Sequence, residues 1–381
     1  MSNNFYCAAP WRGLHINPKG DVKTCCAGNP NMLGNLNTHS IDQILNNTLM
    51  TEIRHSLAQG QPHKYCSNCV QAERFGGSSE RDWHNNVNEN FDFATAGDRY
   101  HYPVIVDVRW NTTCNLSCNY CGELCSSKWA GLKGIPFKSG ARPYYEQVCD
   151  FIEQHQAHIH EVALVGGEPL LLPENERLLD VISEDAIVTL ITNLSVDFEN
   201  NKIFKKLQNR TQVGWSMSFD NTGSRFEYVR HGSNWELLQK NLGILKNLMT
   251  TQGQWGGIHA VYNIYNATRI CELREFADSV GVSVLWQNLF QPDYLDPFLH
   301  GPEVAQAAAA EIERFYATGN VTPAERQFFD QALNNYKSIT HAQPDIEQKF
   351  AQHIQEIETK YHSDKQGQFE MLWPELKTLC K

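Results

Sequence analysis

The stretch Val104-Ile105-Val106-Asp107-Val108-Arg109-Trp110-Asn111-Thr112-Thr113-Cys114-Asn115-Leu116-Ser117-Cys118-Asn119-Tyr120-Cys121-Gly122 carries the decisive pattern of this chain. The apolar run Val104–Val108 predicts a strand. Three cysteines, Cys114, Cys118 and Cys121, follow in the loop beyond it. Four thiolates would fill every site of a cubane iron–sulfur cluster; three leave one iron without a protein ligand, free to take a small molecule. On the triplet alone, a zinc loop or an incidental cluster of cysteines stays open as well.

Outward from this loop, strand-like and helical runs alternate from about residue 101 to 295. The expected strands are Val104–Val108, Glu161–Val165, Ile187–Ile191, Gln212–Phe219, Ile258–Asn263 and Val282–Gln287, with helices such as Tyr144–Gln156, Glu174–Ile182, Trp235–Leu248 and Arg269–Val280 between them. This alternation predicts βα repeats and a parallel sheet, an α/β class in which ligands gather at the C-terminal strand ends. Each further motif falls at such an end. Val165-Gly166-Gly167-Glu168-Pro169 follows the second strand, Thr192-Asn193 the third, and Ser218-Phe219-Asp220 the fourth, with Arg230 after a turn. Consecutive glycines permit close backbone approach, a carboxylate can accept from an ammonium, and a guanidinium matches a carboxylate bidentately. The alternative for Arg230, less favoured, is a solvated arginine at a helix start.

The totals bound the class. With 381 residues, 41% hydrophobic and 20% charged, the chain is long enough to bury a core. No apolar run reaches membrane-spanning length and the N-terminus lacks a signal-like segment, so a cytoplasmic location without membrane contact is expected. Twelve cysteines in that compartment point to metal or redox chemistry rather than disulfides. The net charge of −11, from 32 basic and 43 acidic residues, counts against a nucleic-acid partner.

The spacing and the aromatic Tyr120 before the last cysteine resemble the CxxxCxΦC signature of the radical S-adenosylmethionine (SAM) superfamily. The resemblance implies a partial (β/α)6 TIM-like barrel and a [4Fe–4S] cluster on Cys114, Cys118 and Cys121, whose open iron chelates the amino and carboxylate groups of SAM. Reductive cleavage of SAM would then give a 5′-deoxyadenosyl radical that takes hydrogen from substrate. Gly166, Gly167, Glu168 and Pro169 look like the family's GGEP motif, holding the methionine amino group. Thr192, Asn193, Ser218 and Arg230 correspond to positions that line the SAM pocket. Arg109, Asn263 and Gln287, at strand ends, are candidates for substrate contact or for ordinary polar core groups.

The N-terminal region adds a second set. Cys7 precedes a hairpin Leu14–Thr24 turning at Pro18-Lys19-Gly20; Cys25 and Cys26 follow it, and after a helix near Ile41–Ala58 come Cys66 and Cys69. The hairpin brings Cys7 near Cys25, and the returning helix can deliver Cys66 and Cys69. Four thiolates enclose zinc or iron equally well. Cys7-x12-Gly20-x4-Cys25 followed by Cys66-x2-Cys69 resembles the SPASM/twitch extension, which implies a second, auxiliary [4Fe–4S] cluster used for electron transfer. There the extension usually follows the barrel, whereas here it precedes it. Cys26 reads as a spare thiol, and Cys125, Cys149, Cys271 and Cys380 as cysteines without a motif.

The expected organisation is a SPASM/twitch-like domain over residues 1–75, a linker over 76–100 containing a short helix near Arg81–Asn90, a radical SAM core over 101–300 and a helical region over 301–381. The tail helices are expected at Pro302–Thr318, Ala324–Tyr336 and Ile346–Tyr361. The function implied by the resemblance is modification of a peptide or protein by oxidation, crosslinking or epimerisation, with a reductant such as flavodoxin or ferredoxin as partner. Alternatives are dehydrogenation or epimerisation of a sugar or aminoglycoside-type small molecule, RNA modification, and a non-catalytic metal–thiolate protein.

Overall fold

The computed structural model describes residues 5–29, 33–74, 79–137, 142–289 and 291–380. Its centre is a single nine-stranded sheet: β1 (Gly13–Ile16), β2 (Asp21–Lys23), β3 (Gly34–Asn35), β4 (Ile105–Val108), β5 (Glu161–Leu164), β6 (Ile187–Thr192), β7 (Val213–Ser218), β8 (Trp255–Tyr262) and β9 (Ser283–Asn288). Strands β4 to β9 lie side by side in chain order and pair in parallel, as crossover helices require. This is the expected partial (β/α)6 barrel.

Strand composition explains the layering. Val162, Leu164, Val188, Leu190, Val213, Trp215, Met217, Ile258, Ala260 and Tyr262 face the helices and are buried. Their alternates, among them Ala163, Thr189, Ile191, Ser216, Ser218, His259 and Val261, are half-buried on the inner face. A parallel sheet is normally covered on both faces, whereas here the small and polar side chains of the inner face stay half-open.

The sheet does not stop at β4. Strand β1 pairs with it in parallel, with His15 opposite Asp107, and β2 and β3 extend the same sheet antiparallel. The sheet therefore runs through the boundary expected between residues 1–75 and 101–300, and one apolar core joins Cys7, Trp11 and Leu57 to Val106, Trp215 and Tyr336. The segment expected to connect two domains is packed where it is described: helix Glu80–Val87 is capped by Ser79, and Phe91 and Ala96 are buried. Residues 76–78 of that segment lie outside the described residues.

Local chemistry corrects one helix. The span expected as Ile41–Ala58 is two helices, Ile41–Leu45 and Thr48–Ala58. Asn47 breaks it by accepting from Met50 N as an N-cap, a position asparagine favours over helix interior. Arg54 on the second helix is fully buried; its guanidinium donates to the carbonyls of Pro10, Leu45 and Asp98 at 2.6–3.0 Å. One cation thus ties three segments together.

The C-terminal helices Pro302–Ala317, Pro323–Lys337 and Ile346–Glu356, the last continued by a wide turn Ile357–Tyr361, match their expected places. A second apolar core joins Phe350, Phe369, Trp373 and Leu376 of the tail to Tyr228, Val229, Ile264 and Tyr265. Those partners follow β7 and β8, so the tail covers the C-terminal strand ends. No helix is long and apolar enough to cross a membrane among the described residues.

Candidate metal centres and active site

The three-cysteine loop leaves β4 through Trp110, whose buried indole donates to Asn175 Oδ1 at 2.9 Å. Nearly every peptide of the loop is then fixed. Ser117 N and Asn119 N donate to His231 O and Val229 O at 3.0 and 2.8 Å. Ser126 Oγ donates to Leu116 O at 2.7 Å, and Trp129 Nε1 to Cys118 O at 2.9 Å. Cys118 is buried; Cys114 and Cys121 are half-buried. The neighbouring Cys121 thiol, with Arg230 nearby, draws Cys118 below the ordinary thiol value while Cys121 rises well above it. Burial, then the charge of Cys118, pushes Cys114 up to about 12. The Cys114 sulfur accepts from Leu116 N at 3.5 Å and Asn193 Nδ2 at 3.8 Å. Amide donors aimed at sulfur are what a ligating thiolate needs.

Gly166 and Gly167 have a role the sequence reading did not assign. A Cβ on Gly167 would sit 2.2 Å from Thr113 O, and Gly166, at φ +144°, passes 2.9 Å from Asn111 O in the same sense. These glycines let the strand-end backbone press against the cysteine loop, where Glu168 N donates to Thr113 O at 2.8 Å. The Glu168 carboxylate is fully buried and accepts from Thr192 Oγ1 at 2.9 Å, Asn193 N at 2.8 Å and Leu170 N at 3.3 Å. Burial nevertheless pushes its pKa from 4.5 to about 7. Pro169 starts a single turn, and its carbonyl accepts from Asn175 Nδ2 at 2.9 Å. Asn193 reaches from the β6 end to Asn115 Oδ1 at 3.0 Å.

Arg230 is not a solvated arginine at a helix start. It ends the helix Gly223–Val229, is buried, and pairs with Asp220 Oδ2 at 3.0 Å. The same carboxyl oxygen accepts from Tyr120 OH at 2.8 Å, and Asp220 Oδ1 accepts from Val261 N at 2.8 Å. The guanidinium lies 5.3 Å from the Tyr120 ring centre, a cation–π distance. Burial opposes the Arg230 charge, but Tyr120, Asp220 and Cys118 together hold its pKa above the ordinary value. Asp220 is thus the residue at the centre of this network that the candidate set lacked; its place at the end of β7 was the available signal. Ser218 ends β7 half-buried on the inner face.

The N-terminal cysteines converge. Cys7, Cys25, Cys66 and Cys69 line one cavity with Tyr65 and Arg81. Cys66 closes the turn Lys64–Cys66, and Cys69 lies in the first turn of helix Ser67–Arg74. Tyr65 OH accepts from Thr24 N at 3.2 Å, tying the two cysteine segments together; a Cβ on Gly28 would sit 2.3 Å from that oxygen. Burial, then the charges of Cys25 and Cys69, pushes Cys66 up to about 12. Burial raises Cys7, Cys25 and Cys69 as well. Four thiols lining one cavity are a donor set that fits a cluster, which would displace their protons on binding. Among the described residues, no three His, Cys, Asp or Glu side chains converge on a single-ion position. Cys26 is not among the residues that line this cavity, and burial and the nearby Glu80 carboxylate raise its thiol.

Of the three expected substrate contacts, Arg109 is half-buried and pairs with Asp107 at 2.9 Å, and Gln287 accepts from His259 Nε2 at 2.7 Å on the inner face. Asn263 is fully buried and hydrogen-bonds Val261 O and Tyr265 N, so it is a satisfied core group.

Among solved structures, the chain resembles native anSMEcpe with bound AdoMet, at 17% identity over 57% of this chain and 62% of that one, with a TM-score of 0.40. It also resembles Streptococcus suis SuiB, at 15% identity over 71% of this chain and 63% of that one, with a TM-score of 0.43. The chain thus spans less than two thirds of the length of either protein. No curated protein matches it. Its N-terminal segment matches a family model described as an iron–sulfur cluster-binding domain, over a span that contains Cys7, Cys25, Cys66 and Cys69. That model is the SPASM iron–sulfur cluster-binding domain, and residues 7–70 are similar to it.

Proposed function

We propose that this chain is a radical SAM enzyme with an auxiliary cluster, acting on a peptide or protein substrate. One observation carries the reading: the glycine pair and Glu168 at the end of β5, and Asn193 at the end of β6, all hydrogen-bond or press against the loop bearing Cys114, Cys118 and Cys121. When bound, a [4Fe–4S] cluster with SAM on its open iron supplies reductive cleavage of the sulfonium bond and a carbon radical that removes a substrate hydrogen.

The protein's own groups hold and orient. Cys114, Cys118 and Cys121 are the thiolate ligands, with amide donors on Cys114 damping the charge of its sulfur. Backbone groups at Gly166–Glu168, with Thr192 and Asn193 fixed by the Glu168 carboxylate, offer hydrogen bonds to the amino-acid end of SAM. The Tyr120–Asp220–Arg230 network keeps a positive charge beside Cys118. Thr189, Ser216, Ser218, His259 and Gln287 present polar groups from the inner face toward substrate. Cys7, Cys25, Cys66 and Cys69 hold the auxiliary cluster at the β1–β2 side of the sheet. The SPASM match over residues 7–70 supports the two-cluster reading, and the half-buried polar side chains of the inner face support a substrate site there.

Cys118→Ala is the test of the active-site assignment. Anaerobic, dithionite-reduced protein should cleave SAM to 5′-deoxyadenosine, and the variant should form none. Unchanged 5′-deoxyadenosine formation by the variant rejects the reading. Reconstituted wild type should hold about eight irons, two cubanes' worth; one cubane plus zinc would reject the auxiliary cluster.

A further inference from the structure

The two edges of the sheet are finished differently. At one, β3 is two residues long, Gly34-Asn35, too short to template another strand. At the other, β9 runs Ser283-Val284-Leu285-Trp286-Gln287-Asn288. Its register with β8 is unbroken, from Ser283 opposite Gly257 to Asn288 opposite Tyr262. Open edges are normally guarded by shortness, charge, proline or a bulge, because their free N–H and C=O groups otherwise pair with any extended chain. None of these guards is present: β9 is six residues long and holds no charged residue, no proline and no bulge. No backbone group among the described residues pairs with its outer side.

The side chains of β9 select what fits beside it. Val284 and Trp286 turn toward the helices; Trp286 is buried, its ring 5.3 Å from that of Phe329. Ser283, Leu285 and Gln287 alternate with them on the inner face and are exposed, Leu285 at 62%. Leu285 lies opposite His259 on β8, and His259 opposite Ser218 on β7. Gln287 Oε1 accepts from His259 Nε2 at 2.7 Å, and His259 Nδ1 lies 3.3 Å from Ser216 Oγ. A continuous row of inner-face groups therefore runs from the open edge to β7. A strand added at the edge would set alternate side chains next to Ser283, Leu285 and Gln287, extending that row. Unpaired main-chain donors and acceptors call for an extended peptide, and an exposed leucine between two polar neighbours favours an apolar residue flanked by polar ones. A second copy of this chain could satisfy the backbone but would gain nothing from groups that lead inward. Resting on the peptide reading above, we propose that the outer edge of β9 binds an extended segment of the substrate as an added strand, with an apolar side chain beside Leu285.

The test uses the anaerobic, fully reconstituted protein and, as probe, a library of fluorescein-labelled decapeptides built from Ser, Thr, Gln, Val, Leu and Ile. Binding is read by fluorescence anisotropy without SAM or reductant. The tightest peptide is then remade with N-methyl groups on alternate peptide bonds, in each of the two possible phases. A strand on an edge uses only every other main-chain group of its partner. One phase should therefore weaken binding at least about tenfold and the other should leave it within about twofold. Saturating peptide should slow amide exchange in residues 283–288. Leu285→Lys, a guard charge on the edge, should weaken binding at least about tenfold with iron content and circular dichroism unchanged, whereas Leu285→Val should retain it. Absence of any binder, equal tolerance of both N-methyl phases, or unaltered exchange in residues 283–288 overturns the proposal. So does self-association by sedimentation that Leu285→Lys abolishes, which would assign the edge to a second copy. Failure of the functional reading shows separately: protein that protects β9 with peptide but forms no 5′-deoxyadenosine from SAM with dithionite keeps the edge site and loses the radical SAM assignment.

Discussion

Three buried ionisable residues, Arg230, Asp220 and Glu168, sit at the strand-end face of the barrel, and each makes a measurable commitment. Arg230 and Asp220 are a buried ion pair with additional hydrogen bonds on the acid. Removing one partner of such a pair strands the other, at about 3–5 kcal/mol. Arg230→Ala should therefore lower the urea midpoint markedly, while Arg230→Lys, which keeps the charge but not the fork, should cost less; equal midpoints for Arg230→Ala and wild type would contradict this. Glu168 makes a pH-dependent contribution. Its folded pKa of about 7 lies above the ordinary 4.5. The proton therefore binds the folded state more tightly, and the associated stability, about 3 kcal/mol at full extent, is complete below pH 4.5 and lost as pH rises through 7. About 1.4 kcal/mol of it should disappear between pH 6 and pH 8. Melting of wild type should fall across that interval by more than melting of Glu168→Gln, and parallel curves would refute the assignment. The cysteines and the glycine–glutamate motif were legible from residue types alone. Asp220 and the burial of Arg230 were not, because a carboxylate and a guanidinium ten residues apart meet only once β7 and the following helix fold back on each other.

At the scale of elements, strand and helix positions were readable because period-2 runs bounded by turns leave little ambiguity. All six barrel strands lie within a few residues of their expected bounds. The broken helix at Asn46-Asn47 is not legible because the helical spacing of apolar residues runs on across it, and only the N-cap bond to Met50 N decides the break. The close passage of two loops gives the element-scale prediction. Gly167→Ala drives a Cβ into Thr113 O at 2.2 Å, a backbone contact that cannot yield cheaply. The cysteine loop must shift, so reconstituted iron should fall from about eight to about four per chain while far-UV circular dichroism stays near wild type. Retention of the full iron content would mean that the loop accommodates the methyl group. Leu194, just beyond Asn193, sits at φ +56°, a strained conformation costing on the order of 1 kcal/mol or more. Leu194 O accepts from Asn241 Nδ2 at 2.9 Å, which holds the strained turn in place beside the site.

Across the whole molecule, the tail and the N-terminal region both act on the barrel from outside it. Trp373 is fully buried and donates to Tyr265 O at 2.8 Å, within the core that covers the strand ends. Trp373→Ala should cost about 3–5 kcal/mol and loosen the helix that receives Asn119 N at Val229 O, seen as faster amide exchange in residues 115–121. Unaltered exchange there would separate the tail from the site. The sequence by itself determined the βα order, the two cysteine sets and the motifs at the strand ends, because each rests on local periodicity or on spacing within one loop. Only the tertiary structure decided that β1 joins β4 in one sheet, that the tail covers the strand ends, and that Asp220 gathers Tyr120 and Arg230. Those outcomes depend on pairings between residues far apart in the chain, whose energies arise from burial and hydrogen bonds that no local pattern encodes.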